Sequence, residues 1–222
     1  HEGILGDEGI GRGSDPQIGE DISALFTRMI QGPADHTFIF PGKGTKAYAV
    51  ASPIMFRSGL HLLYWYSWPG GIPAQDREGY VSKIDIWKNL PGTWDELKVL
   101  EAKMGEYATY ARRSGETWYI GSLSAITRDL EIPLTFLKEG QKYVAEIYAD
   151  EFNADPYGTI KPKDTQVLEI TKAIVDKDTV LKRPLKYGFG YAVKLTPATD
   201  EDISDLPEYN GDLEMLSLKV KH

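Results

Sequence analysis

The chain contains no cysteine among its 222 residues, which removes disulfides, thiolate metal sites, cysteine nucleophiles and thiol redox chemistry together. Histidine is scarce too: His1, His36, His61 and His222 are scattered, with no HxH or HExxH spacing for zinc. Positive charge is in deficit, with 25 Lys and Arg against 33 Asp and Glu for a net charge of −8, and no basic run exceeds a doublet such as Arg112-Arg113. This balance argues against a nucleic-acid partner or an anionic membrane surface. No stretch approaches the roughly 18–20 apolar residues that would span a bilayer. There is no GxSxG for a serine nucleophile, and Gly9-Ile10-Gly11-Arg12-Gly13 is neither a GxGxxG nor a Walker loop, so it reads as a flexible turn. The start shows no charged, apolar and small-residue leader and no Met before His1, which is expected of a processed or trimmed product.

With 41% apolar and 26% charged residues the chain falls in the ordinary globular range and is long enough for one or two domains. Glycines and turn formers punctuate Gly3 to Gly44. Between them, Asp21 to Ile30 has apolar residues at helical spacing and predicts a helix. Lys46 to Phe56 predicts a helix interrupted by Pro53, and Gly79 to Leu90 a further one closed by Pro91-Gly92. Leu60 to Tyr66 is a continuous apolar and aromatic run of the kind buried on both faces of a parallel sheet. His61, inside that run, reads as a core histidine rather than a ligand.

After Trp94 the texture changes. Glu106 to Arg112, Thr117 to Ser122, Asp129 to Phe136, Lys142 to Tyr148, Gln166 to Ile170 and Tyr187 to Leu195 alternate and are rich in β formers, as in an antiparallel sandwich. Pro197 to Asn210 reads as an acidic solvated loop and Leu213 to Val220 as an edge strand. The first half has α/β texture but falls short of the about 250 residues that close an eight-stranded barrel.

Carboxylates are the candidate reactive groups, since glycoside hydrolysis takes two of them and Ca²⁺ prefers oxygen ligands. They cluster at Asp7-Glu8, at Asp76 and Glu78, and at Asp95-Glu96 with Glu101 and Glu106. Tyr64, Trp65, Tyr66, Trp68, Trp87 and Trp94 lie near them in sequence, and sugar rings stack on aromatic faces. Core packing explains the same aromatics equally well. His36 follows the turn Gly32-Pro33-Ala34-Asp35 and is a candidate substrate contact.

Several segments in order, His1 to Glu8, Phe26 to Thr37, Gly44 to Tyr48, Thr93 to Leu100, Gly105 to Arg113 and Trp118 to Gly121, resemble the C-terminal third of glycoside hydrolase family 97 over about residues 1–195. The resemblance implies α/β plus all-β architecture: residues 1–102 as the C-terminal portion of a (β/α)8 catalytic barrel and residues 103–222 as an antiparallel β-sandwich domain. It implies part of an exo-acting α-glycosidase acting on terminal α-linked glucose or galactose, assisted by Ca²⁺, in a bacterial periplasmic or secreted setting. By position, Glu8 matches the general base of inverting members, Glu101 the general acid and Asp95 a Ca²⁺ ligand. Trp65, Trp94 and His36 are the candidate substrate contacts. The family's Ca²⁺-binding segment is rewritten here as Trp68 to Tyr80, leaving Asp76 and Glu78 as substitutes. The nucleophile of retaining members and the first Ca²⁺ ligand are expected upstream of His1, so the partners implied are an α-glycoside substrate and the rest of the barrel, from missing polypeptide or another chain. The rewritten segment keeps open a second reading, a non-catalytic carbohydrate-binding or structural remnant of the family.

Overall fold

The computed structural model describes residues 18–33, 36–37, 44–59, 61–62, 85–151 and 168–211. In the first part of the chain these form α1 (Ile18–Phe26), α2 (Arg28–Gln31), β1 (His36–Thr37), α3 (Lys46–Met55), β2 (His61–Leu62) and α4 (Asp85–Lys88). The remainder forms β3 (Glu96–Lys103), β4 (Tyr107–Ser114), β5 (Thr117–Ser124), β6 (Arg128–Pro133), β7 (Tyr143–Asp150), β8 (Leu168–Val175), β9 (Val180–Leu185), β10 (Gly190–Pro197) and α5 (Asp200–Asp205). An antiparallel six-stranded sheet runs in the order β3-β4-β5-β10-β7-β8, and β6 pairs antiparallel with β9.

The sheet is buried on both faces. One side presents Ala108, Tyr110, Tyr119, Leu123, Tyr148 and Ala192 to the helices, where Ile22, Val50, Ile54 and Ile86 meet them. The other presents Ala111, Trp118, Ile120, Ile147, Val193 and Leu195 to Leu130, Ile132, Leu181 and Leu185 of β6 and β9. Central strands such as β5 therefore lack the polar alternation of a half-solvated sheet and stay buried over most of their length.

Helix α3 is the part of the helical layer most closely joined to the sheet. Thr45 caps it, accepting the Tyr48 N–H at 3.3 Å, and Pro53 sits in its last turn, where the helix gives way to extended backbone at Phe56. Beneath it lie two glycines. A Cβ on Gly190 would stand 2.3 Å from the Tyr48 Cα and 2.5 Å from the Ala47 carbonyl oxygen. On Gly121 it would stand 3.0–3.1 Å from Met55 Sδ, the Ala51 carbonyl oxygen and Ile54 Cβ. Only glycine lets a helix backbone approach a strand so closely. A ten-residue helix spans about 15 Å, close to three interstrand gaps of about 4.8 Å, so α3 can reach from β7 across β10 and β5 to β4.

The helix expected over Asp21 to Ile30 is present but starts at Ile18 and breaks at Thr27, whose backbone leaves helical geometry. The six strands expected between Glu106 and Leu195 all form, some with shifted ends. Three strands were not foreseen: the short β1 at His36–Thr37, β3, whose eight residues include four charges, and β9, which contains Pro184. Because β3 belongs to the antiparallel sheet, that sheet begins at Glu96 and straddles the expected boundary after residue 102. The solvated loop expected over Pro197 to Asn210 is corrected to contain α5, an exposed helix set by a capping box between Thr199 and Asp202. Of the strand expected over Leu60 to Tyr66, His61 and Leu62 are described, pairing parallel with His36 and Thr37. Of the helix expected over Gly79 to Leu90, Asp85–Lys88 is described as helix. The Leu213 to Val220 strand and nearly half of the segment expected as barrel lie outside the described residues.

The close approach predicts that Gly190→Ala lowers stability by about 3 kcal/mol, since a clash with backbone has no rotamer escape, and Gly121→Ala by about 1 kcal/mol. Urea midpoints of the two variants measure this. Indistinguishable midpoints would mean that α3 is not seated on Gly190.

Candidate functional site

The buried polar groups of this chain gather where the helices meet the sheet. Asp150, the last residue of β7, is 3% exposed and accepts three hydrogen bonds. Thr45 Oγ1 donates to its Oδ2 at 2.5 Å, the Gly190 N–H to the same oxygen at 3.3 Å, and the Ala47 N–H to Oδ1 at 3.0 Å. A carboxylate thus stands at the N-terminus of α3, where free N–H groups and the helix dipole favour negative charge. Burial nevertheless pushes its carboxyl up to about 7, outweighing the three donors and the more distant Arg183 charge. Arg183 donates to the Asp150 carbonyl and, at 2.7 Å, to Glu169.

The other end of α3 meets a guanidinium. Arg112 of β4 is buried and donates from Nη2 to the Met55 carbonyl at 2.9 Å. Burial pulls its guanidinium down to about 10, which leaves it charged at neutral pH. The guanidinium lies 5.5 Å from the centre of the Trp94 ring, and Trp94 meets Tyr119 edge-on at 5.4 Å. Burial, and then Arg112, push His61 down to about 4, so its imidazole is neutral. Further links fasten the other helices. Tyr48 donates to the buried Asp21 of α1 at 2.7 Å. The Tyr148 hydroxyl accepts the Ile86 N–H of α4 at 3.2 Å, and Lys194 pairs with Asp85 at 3.0 Å.

Glu101 and Asp95 lie close in sequence, but the structure does not bring their carboxylates into one site. Both oxygens of Glu101 accept from Arg128, and Oε1 also accepts from Thr109 at 2.8 Å. Arg128 in turn lies 4.1 Å from the centre of the Tyr107 ring. Asp95 is exposed; it accepts the Gly115 N–H of the β4–β5 turn at 2.8 Å and stands 3.6 Å from Arg113. Each acid is held by a different arginine of the β domain. Trp94 is half-buried between Arg112 and Tyr119, an arrangement that packs the junction. His36 is described through its backbone pairing with His61. Glu8, Trp65, Asp76 and Glu78 lie outside the described residues.

Among the described residues no three His, Asp or Glu side chains gather to hold a metal ion. Asp95, facing a guanidinium, is a poor ligand for Ca²⁺. The described residues therefore do not fit the implied ion. Sequence reasoning passed over Asp150 and Arg112, although each is an ionisable residue placed in or at the end of an apolar strand, which is the available signal.

The opposed shifts of Asp150 and His61 set a pH signature. Between about 3.8 and about 7 the folded chain keeps a proton on Asp150 that the unfolded chain has lost, so this group makes stability fall as pH rises through that window. Between about 4 and 6.5 the unfolded chain binds a proton that folded His61 refuses, so that group makes stability rise. Asp150→Asn removes the first slope, and its melting temperature relative to the parent is expected to increase steadily from pH 4 to pH 7. Parallel melting curves across that range would refute the assignment.

Residues 93–196 match the sequence profile described as Glycosyl-hydrolase 97 C-terminal, oligomerisation. A curated relative named retaining alpha-galactosidase, from Bacteroides thetaiotaomicron, is 28% identical over 197 residues, 81% of this chain and 27% of the relative. The chain therefore spans little more than a quarter of that relative's length. Among solved structures, a glycoside hydrolase family 97 enzyme in complex with acarbose from Pseudoalteromonas sp. strain K8 superimposes with a TM-score of 0.65 at 24% identity, over 86% of this chain and 30% of that one. A beta-arabinopyranosidase superimposes with a TM-score of 0.59 at 16% identity, over 86% of this chain and 29% of that one. Profile, curated relative and shared fold converge with the motifs of the sequence in supporting a C-terminal fragment of glycoside hydrolase family 97, whose C-terminal domain profile matches residues 93–196.

Proposed function

We propose that this chain is the C-terminal part of an exo-acting α-glycosidase that removes terminal α-linked galactose or glucose, and that residues 93–196 act in it as a structural support. The observation that carries the structural half is the clamp on α3, from Asp150 at one end to Arg112 at the other, which fastens the preceding segment to the β sheet. Glu8, the proposed general base, precedes α3 in the sequence. The relation to a retaining alpha-galactosidase supports a galactoside as the first substrate to test.

In this reading the described residues contribute no reacting group. Glu101, with both oxygens on Arg128, ties β3 to β6, and Asp95 orders the β4–β5 turn. Ca²⁺, where the protein uses it, would be held outside the described residues, at Asp76, Glu78 and polypeptide beyond this chain. A periplasmic or secreted setting accords with an enzyme that meets oligosaccharides. The second reading, a non-catalytic remnant, is favoured by one observation: two of the expected site acids are occupied by arginines.

The test is hydrolysis of p-nitrophenyl α-galactoside and α-glucoside by the whole protein, with added Ca²⁺ and with chelator. Turnover of at least one substrate is expected. Glu8→Gln should lower kcat by about 100-fold or more, as loss of a general base does. Glu101→Gln should leave kcat within about threefold while lowering the melting temperature, because it loosens a part-buried ion pair. Absence of turnover in the parent protein would favour the remnant. A 100-fold loss in Glu101→Gln would instead return that carboxylate to the chemistry.

A further inference from the structure

The two edges of the six-stranded sheet differ. At β8 the chain covers its own edge: Ile174 donates its N–H to the Pro207 carbonyl at 2.8 Å and accepts the Tyr209 N–H at 2.9 Å. At β3 the outer backbone has no partner among the described residues. Edges of this kind are pairing templates unless something protects them. Leu97 and Val99 add an apolar signal, being 51% and 57% exposed on this strand.

The register with β4 sorts the β3 side chains by face. Glu96, Lys98, Glu101 and Lys103 stand opposite Arg113, Ala111, Thr109 and Tyr107, on the face toward β6 and β9. Leu97, Val99 and Ala102 stand opposite Arg112, Tyr110 and Ala108, on the helix face. In an unbroken strand Lys98 and Glu101 would point to opposite faces. The bulge between Val99 and Glu101 brings them to the same one.

The strand is therefore charge-complementary to its own reverse. We propose that β3 pairs antiparallel with β3 of a second copy of this chain, about a two-fold axis between Val99 and Leu100. That register sets Glu96 opposite Lys103, Lys98 opposite Glu101 and Leu97 opposite Ala102 of the other copy, each pair on a common face. The bulge lies at the axis and leaves the flanking pairs in step. A parallel partner in register would instead set Glu96 against Glu96 and Lys98 against Lys98, so the strand selects antiparallel pairing. Each copy contributes the same patch, as a closed two-fold dimer requires. The word oligomerisation in the family description names no surface; this strand supplies one. The inference goes beyond the glycosidase reading, and a mass measurement tests it whether or not the protein turns over a substrate.

Glu96 and Lys103 lie at opposite ends of a strand about 23 Å long, too far apart to couple with each other within one copy, where Glu96 pairs with Lys98 and Arg113 and Lys103 with Glu106 on the surface. The experiment is light scattering and sedimentation of the whole protein, the single variants Glu96→Lys and Lys103→Glu, and the double reversal. The parent is expected to be a dimer that weakens with salt. Each single variant should raise the dimer dissociation constant about tenfold or more, because two-fold symmetry makes each substitution count twice. The double variant should return to within about threefold of the parent, since the pairs are restored with reversed sign. A monomeric parent would overturn the proposal, and protected β3 amides in that monomer would assign the edge to the chain's own residues 212–222 or to other polypeptide. A dimer indifferent to the single changes, or one the double change fails to rescue, would overturn it as well.

Discussion

The seating of helix α3 on the sheet is the constraint on which the rest of the fold depends. Its backbone stands too close to β10 and β5 for side chains beneath it, so glycine is required at 190 and 121. Close approach brings dispersion contacts but also removes water from both helix ends, where backbone N–H and C=O groups lack intrahelical partners. Asp150 and Arg112 answer that need at opposite ends of the helix, both from the helix face of the sheet. Their charges match the sense of the helix dipole, acid at the N-terminus and guanidinium at the C-terminus.

A buried carboxylate and a buried guanidinium each carry a heavy desolvation cost, and a hydrophobic pair could pack the same space. Hydrophobic residues would not, however, define the helix direction. A reversed α3 would place carbonyls against Asp150 and leave Arg112 facing N–H groups, which is unfavourable at both ends. The polar pair thus specifies one docking among those that apolar burial alone would accept. Arg183 extends the specification by bonding the Asp150 carbonyl and Glu169, so β7, β8 and β9 share one network.

Much of the β domain was legible in the sequence. Period-two segments with strong turn signals marked β4 to β8 and β10, since each strand feels the same alternation of environments. Strands β3 and β9 escaped because a charge-rich edge and a Pro-containing strand lack an apolar signature, and α5 escaped because its capping box was read as loop composition. The candidate site was less legible. A carboxylate at a given position in a family motif has the same letter whether it meets a sugar, a cation or an arginine, and only the fold shows Arg128 beside Glu101 and Arg113 beside Asp95.

By itself the sequence determined the division into an α/β-textured start and a β-rich remainder, the exclusion of thiol chemistry and the resemblance to glycoside hydrolase family 97, because composition, periodicity and motif order are local properties of the chain. Tertiary structure decided which ionisable groups are buried, which end of α3 meets which charge, and which sheet edge stays open among the described residues. Those outcomes depend on residues far apart in sequence, such as Thr45 with Asp150 and Met55 with Arg112. No local pattern encodes a distance between strands that meet only when the sheet closes.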